Sequence, residues 1–135
     1  MTLHAYFGGS WNGAAPYAYN AGTWKLATSV SAYDAGSWKT VAQILTSVAV
    51  TGDTSVANGA PANLGTSVTG GYGALTYLWE KVSGAGGISG SATNSTVTLT
   101  YGGTDGEGNY RITVTDSLTG TVVDTEFPVT WGTPP

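Results

Sequence analysis

Groups able to do covalent or metal chemistry are few in this chain and lie far apart. A nucleophilic triad needs a His held by a partner; the single one, His4, lies four residues from the start, where a solvated imidazole in a mobile end is expected. Paired carboxylates could serve glycoside hydrolysis, yet Asp34, Asp53, Glu80, Asp105, Glu107, Asp116, Asp124 and Glu126 fall mostly on turn signals or at outward parity. Thr104-Asp105-Gly106-Glu107-Gly108-Asn109 spaces oxygens as a calcium loop opens, but counted from Asp105 the sixth position is Tyr110 and the twelfth is Asp116 rather than Glu. It reads as a turn entering a strand. Without Cys there is neither a thiolate site nor a disulfide framework. The sequence therefore predicts no enzyme, no metal and no cofactor. Asn94-Ser95-Thr96 is formally a glycosylation sequon and is read as a turn.

What does recur is aromatic. Tyr6 to Trp11, Tyr19 to Trp24 and Tyr33 to Trp38 each run from a Tyr through small residues and Gly to a hydroxyl residue and a Trp, and the Trp residues follow one another at intervals of 13 and 14. An indole over a sugar face is one use of such residues; burial between hairpins or subunits is the other. Leaving three Trp residues exposed would create a large apolar patch, so burial is the preferred reading, with Lys25 and Lys39 on the opposite parity. The binding or assembly residues expected are Tyr6, Trp11, Tyr19, Trp24, Tyr33 and Trp38.

The elements that must position these rings are strands. Charged residues make up 9% of the 135, too few for the outward stripes of helices, whereas 21 Gly suit short strands and tight turns. Asn20-Ala21-Gly22 and Asp34-Ala35-Gly36 are hairpin turns, read as three-residue loops ending in a left-handed Gly, so each unit is expected to be one hairpin. About forty residues of hairpin bury too little surface to stand alone, which predicts an anchoring or oligomerising segment over 1–43, most simply a trimer.

A different pattern runs over 44–135. Leu75, Tyr77 and Trp79 alternate with Thr76, Leu78 and Glu80; Val97, Leu99 and Tyr101 alternate with Thr residues; Tyr110, Ile112 and Val114 do likewise, as do Phe127, Val129 and Trp131. Pro128 on the opposite parity predicts an edge strand or a bulge. Ser83 to Gly90 is read as a Gly-rich loop. Roughly seven turn-separated strands predict a two-sheet sandwich, making the whole chain all-β.

The four scattered basic residues and net charge of −4 offer no footprint for nucleic acid, and no run is apolar enough to enter a membrane. The first residues lack the basic and apolar regions of a signal peptide, so a chain made and released in the cytoplasm is expected.

On Tyr77-Leu78-Trp79 and Gly108 to Asp116, residues 46–131 resemble bacterial and phage immunoglobulin-like domains close to the PKD type. The resemblance implies that Trp79 is the buried Trp of the third strand, that Tyr110 is the tyrosine-corner residue, and that Ile112 stands where antibody domains place a Cys. The Gly-Thr-Trp-Lys and Gly-Ser-Trp-Lys units resemble repeats of phage tail-fibre and other virion proteins. That resemblance implies a structural part of a phage particle, a head decoration or tail-fibre element, and a virion component would be made and released in the cytoplasm. It would contact other virion proteins and display the sandwich for weak adhesion to cell-surface glycans. The alternative is a carbohydrate-binding module or adhesin domain.

Overall fold

The computed structural model describes residues 2–5, 17–20 and 22–133, and among them there is no helix. Thirteen strands follow in order: β1 (Thr2–Ala5), β2 (Tyr17–Asn20), β3 (Thr23–Leu26), β4 (Ser29–Asp34), β5 (Ser37–Gln43), β6 (Ser47–Gly52), β7 (Ser55–Ala57), β8 (Ala62–Thr69), β9 (Leu75–Gly84), β10 (Gly87–Ser89), β11 (Thr96–Thr100), β12 (Gly106–Asp116) and β13 (Val122–Gly132). The protein is all-β, as its composition requires.

From β6 onward the strands form two four-stranded sheets, ordered β10-β11-β8-β6 and β7-β13-β12-β9. Setting β7 aside, this is the seven-strand immunoglobulin arrangement, with the first, second, fourth and fifth strands in one sheet and the third, sixth and seventh in the other. Two strands lie in segments that read as turn or loop: β7 between two turn clusters, and β10 inside the Gly-rich stretch. Both are three residues long, too short for alternation to register.

Alternation elsewhere sets the core. Val97, Leu99, Tyr110, Ile112, Val114, Phe127, Val129, Trp131 and Trp79 all turn inward and are buried together with Ala62 and Leu64. Their rings touch in sequence: Trp79 meets Phe127 edge-on at 6.0 Å, Phe127 stacks on Tyr110 at 6.1 Å, Tyr110 meets Trp131 at 6.5 Å, and Trp131 meets Tyr101 at 5.6 Å. Ile112 stands opposite Trp79 on the neighbouring strand of the same sheet, and both side chains are buried in the middle of the sandwich. The indole N–H of Trp79 donates to the Asn94 carbonyl at 2.8 Å, which makes the Asn94-Ser95-Thr96 stretch a turn anchored on the core.

Tyr110 does not behave as a tyrosine corner. Its hydroxyl donates at 2.9 Å to the carbonyl of Ala85, twenty-five residues earlier, rather than to backbone just upstream. β12 begins at Gly106, so Tyr110 lies well inside the strand, and the segment between β9 and β10 folds over it instead. Gly86 allows this: its φ is +77°, and a Cβ there would lie 2.6 Å from the Tyr110 hydroxyl and 2.7 Å from the Trp131 ring. β9 also carries a bulge at Val82, the residue skipped where Ser83 pairs with Asn109 and Lys81 with Tyr110.

The N-terminal strands form a sheet β1-β4-β5 and a separate hairpin β2-β3. β1 pairs in parallel with β4, His4 opposite Ser31, so the backbone there belongs to a strand rather than to a loose end. Turns differ from expectation too. Asn20 pairs with Thr23, and Asp34 pairs with Ser37, leaving Ala35-Gly36 as a two-residue loop. Ala35 and Gly36 have φ of +47° and +85°, as a type I′ turn requires, because its twist matches that of the strands it joins.

Candidate functional site

Two of the three aromatic units are hairpins. In β2-β3, Tyr19 is the register partner of Trp24; in β4-β5, Tyr33 is the partner of Trp38. The repeat thus encodes a cross-strand Tyr–Trp pair closed by a two-residue turn, which puts the two rings on one face. Tyr6 and Trp11 lie outside the described residues, and of Tyr19 and Trp24 the backbone pairing alone is described.

At the tip of β4-β5 the rings of Tyr33 and Trp38 meet edge-on with centroids 5.3 Å apart, a geometry that favours aromatic pairs beyond their buried area. Trp38 nonetheless keeps 52% of its surface exposed and Tyr33 42%. Ser37, Lys39 and Thr40 are exposed as well, so this end of the hairpin is open on both faces. About half of the indole surface is thus left uncovered by the described residues. Lys39, next along the strand, adds a positive charge beside the pair.

The other end of the hairpin is held. Ala27 and Val30 are fully buried and Ser31 nearly so. Tyr72, in the loop between β8 and β9, donates its hydroxyl to the Ala27 carbonyl at 2.9 Å. Ile44 N–H donates to Thr28 O, and Gly71 N–H to Gln43 O, each within 3 Å. The arm is therefore clamped to one end of the sandwich, and its aromatic tip points away from those bonds.

Asp116 organises that clamp. It ends β12 at the inward parity of Tyr110, Ile112 and Val114 and has no exposed surface. Its carboxylate accepts N–H groups from Tyr72 (2.6 Å), Gly73 (3.1 Å), Leu118 (2.9 Å) and Thr119 (3.4 Å). Burial acts to raise the carboxyl pKa, but these donors from Tyr72, Leu118, Gly73 and Thr119 outweigh it and hold the group below the ordinary carboxylate value. Burial alone raises the Tyr72 phenol. Neither residue stood out in the sequence: Tyr72 sits among glycines that read as a bare turn, and Asp116 was counted with the outward carboxylates. The signal was there in parity, since Asp116 is two residues beyond Val114.

Asp53, Glu80, Asp105, Glu107, Asp124 and Glu126 are exposed. Glu126 receives both Nε and Nη2 of Arg111, with Asp124 at 3.8 Å from the same guanidinium. The hydrogen bond and charge of Glu126 raise the Arg111 pKa, so this group stays cationic. Asp105 accepts from Asn58 Nδ2 at 3.2 Å and Thr133 N–H at 3.3 Å, tying the loop before β12 to the end of β13. Among the described residues no three His, Cys, Asp or Glu side chains converge as metal ligands.

No protein-family model matches the chain, and no curated protein matches it significantly.

Proposed function

We propose that this chain is a non-enzymatic structural protein of a bacteriophage particle, a head-decoration or tail-fibre element. Its N-terminal hairpins anchor it to other virion proteins or to copies of itself, and its immunoglobulin-like sandwich is displayed. The observation that carries this reading is the Tyr33–Trp38 pair, half-exposed at the tip of a hairpin whose base is clamped to the sandwich. A hairpin tip offers little to bury within one chain, and a large aromatic pair at such a place is the usual anchor of an interface. The backbone of β2-β3 repeats the same Tyr–Trp register. The likeness of the Gly-Thr-Trp-Lys and Gly-Ser-Trp-Lys units to virion repeats supports the setting.

Sedimentation of the full chain tests the assembly. Wild type should run as an oligomer, a trimer in the simplest case, and Trp38→Ala should shift it toward monomer while the sandwich melts as before. A wild-type chain that stays monomeric at high concentration, and is missing by mass spectrometry from particles of the phage encoding it, would remove the proposal.

A second reading, a carbohydrate-binding module, is favoured by the exposure of Trp38 itself. Iodide quenching separates the two: loss of quenching as protein concentration rises indicates assembly, whereas strong quenching at every concentration indicates a free sugar-stacking ring.

A further inference from the structure

The two sheets of the sandwich differ sharply in charge. β9, β12 and β13 together carry Glu80, Lys81, Glu107, Arg111, Asp116, Asp124 and Glu126. No charged residue occurs anywhere in β6, β8, β10 or β11. Soluble surfaces normally mix charges of both signs at roughly a quarter to a third of positions, so an entirely uncharged sheet face asks for an explanation other than solubility.

That face is shaped as well as neutral. Across it, Thr51 of β6, Gly65 of β8 and Thr96 of β11 form one row, and Asn63, Thr98 and Ser89 form the next. Gly65 lacks the side chain that would fill the space between its neighbours; a Cβ there would lie 2.9 Å from Thr51 Oγ1. The result is an open depression of about 530 Å³, walled on one side by the turn holding Ser91 and Asn94. This is within the range of small-ligand sites, roughly 300–1,000 Å³. Its polar groups point outward in a fixed arrangement. Thr98 Oγ1 donates to Asn63 Oδ1 at 2.9 Å, which holds the Asn63 amide in place on the lining of the depression, and Thr66 Oγ1 ties the wall by donating to Ser95 O.

We propose that this depression on the β6-β8-β11-β10 face binds neutral oligosaccharides. Strand spacing sets hydroxyl and amide groups about 4.8 Å apart across the sheet and about 7 Å apart along it, a lattice of donors and acceptors suited to a chain of ring hydroxyls. The absence of charge selects against acidic polymers, whose carboxylates would lose hydration without gaining a cation. Each contact is weak, and the site rests on the reading of the sandwich as a displayed, multiply presented adhesive part, in which copy number supplies avidity.

The experiment is amide NMR on the full chain, titrated separately with maltohexaose, cellohexaose, mannohexaose, chitohexaose and, as the anionic control, hexagalacturonate. At least one neutral hexaose should shift Asn63, Gly65, Thr96 and Thr98 amides, and hexagalacturonate should not. Thr98→Val keeps the β-branched shape, Asn63→Ala removes the amide and Gly65→Val fills the depression; each should weaken that binding at least fivefold with melting little changed. No shift on this face with any neutral sugar overturns the inference, as do shifts confined to Tyr33 and Trp38 or binding of hexagalacturonate alone. Shifts of the face that grow with protein concentration and without sugar assign it to a second copy, and likewise overturn it. Shifts confined to Tyr33 and Trp38 would favour the sugar-stacking reading of that pair; the other outcomes leave Trp38-dependent assembly to the sedimentation of Trp38→Ala.

Discussion

Tyr72 gives its backbone N–H to Asp116 Oδ2 at 2.6 Å and its hydroxyl to the Ala27 carbonyl at 2.9 Å, so one residue links the end of β12 to the base of the N-terminal arm. Asp116 fixes where the loop before β9 runs, that loop fixes the Tyr72 ring, and its hydroxyl meets the carbonyl of the fully buried Ala27. Arm position thus depends on a carboxylate in a different sheet.

Tyr72→Phe keeps the ring and removes the hydroxyl. The Ala27 carbonyl is then left buried without that donor, at a cost of about 1–2 kcal/mol. Hydrogen exchange on the full chain should quicken at the Ile44 amide, which closes the same junction, and across β4, while β12 and β13 keep their protection. Unchanged exchange at Ile44 and β4 would show that the clamp does not depend on this hydroxyl.

Asp116 makes stability fall in acid. Its native pKa lies below the ordinary carboxyl value, so its contribution is fully present above that value, near 3.9 for an unfolded chain, and is lost as pH drops through the lower native one. Urea melts of the wild type should weaken over that interval. Asp116→Asn should cost about 2–3 kcal/mol at pH 7, because charged acceptors are the stronger ones, and should flatten the dependence below pH 4. An equally steep acid loss in the variant would assign the effect to other carboxylates.

Ala35 is the one non-Gly residue with positive φ among those described, at the first position of the β4-β5 turn. Left-handed backbone costs an ordinary L-residue roughly 1–2 kcal/mol, and Asn much less. Ala35→Asn creates the Asn-Gly pair that type I′ turns prefer and should stabilise the hairpin by about 0.5–1 kcal/mol. Slower amide exchange in β4 and β5 is the readout, and a null or opposite change would mean that tip contacts, not the turn, limit the hairpin.

Much of this was legible beforehand, for identifiable reasons. Long amphipathic strands announce themselves: Tyr110, Ile112 and Val114 pack as their period-2 spacing requires, and so do Phe127, Val129 and Trp131. The Tyr and Trp of the two described repeats fall opposite one another because a short loop fixes register, although the β4-β5 loop holds two residues rather than three. What could not be read was long-range. Nothing local says that Tyr72, amid three glycines, reaches back forty-five residues to Ala27, or that Tyr110 reaches Ala85 in place of a corner nearby. The uncharged face was hidden too, because its strands are scattered along the chain and become neighbours only through the sheet order.

Pro128 illustrates how one strand is both interior and edge, and it yields the last prediction. Thr130 N–H donates to Thr54 O at 2.8 Å on the side of β13 away from β12, where β7 pairs with residues 130–132. Two residues earlier, Pro128 turns the same way at a level β7 does not reach, so its ring replaces an N–H that would face solvent on an open edge. Flanking Asp124 and Glu126 are exposed and add charge along that edge, another common guard against strand addition. Pro128→Val should leave melting within about 1 kcal/mol of wild type, because the β12 pairing is untouched. Association should rise with concentration once the edge regains its donor. Light scattering in the Trp38→Ala background, where the hairpin tip no longer contributes, is the measurement; scattering identical to the Pro128 parent at every concentration would show that the carboxylates alone protect the edge.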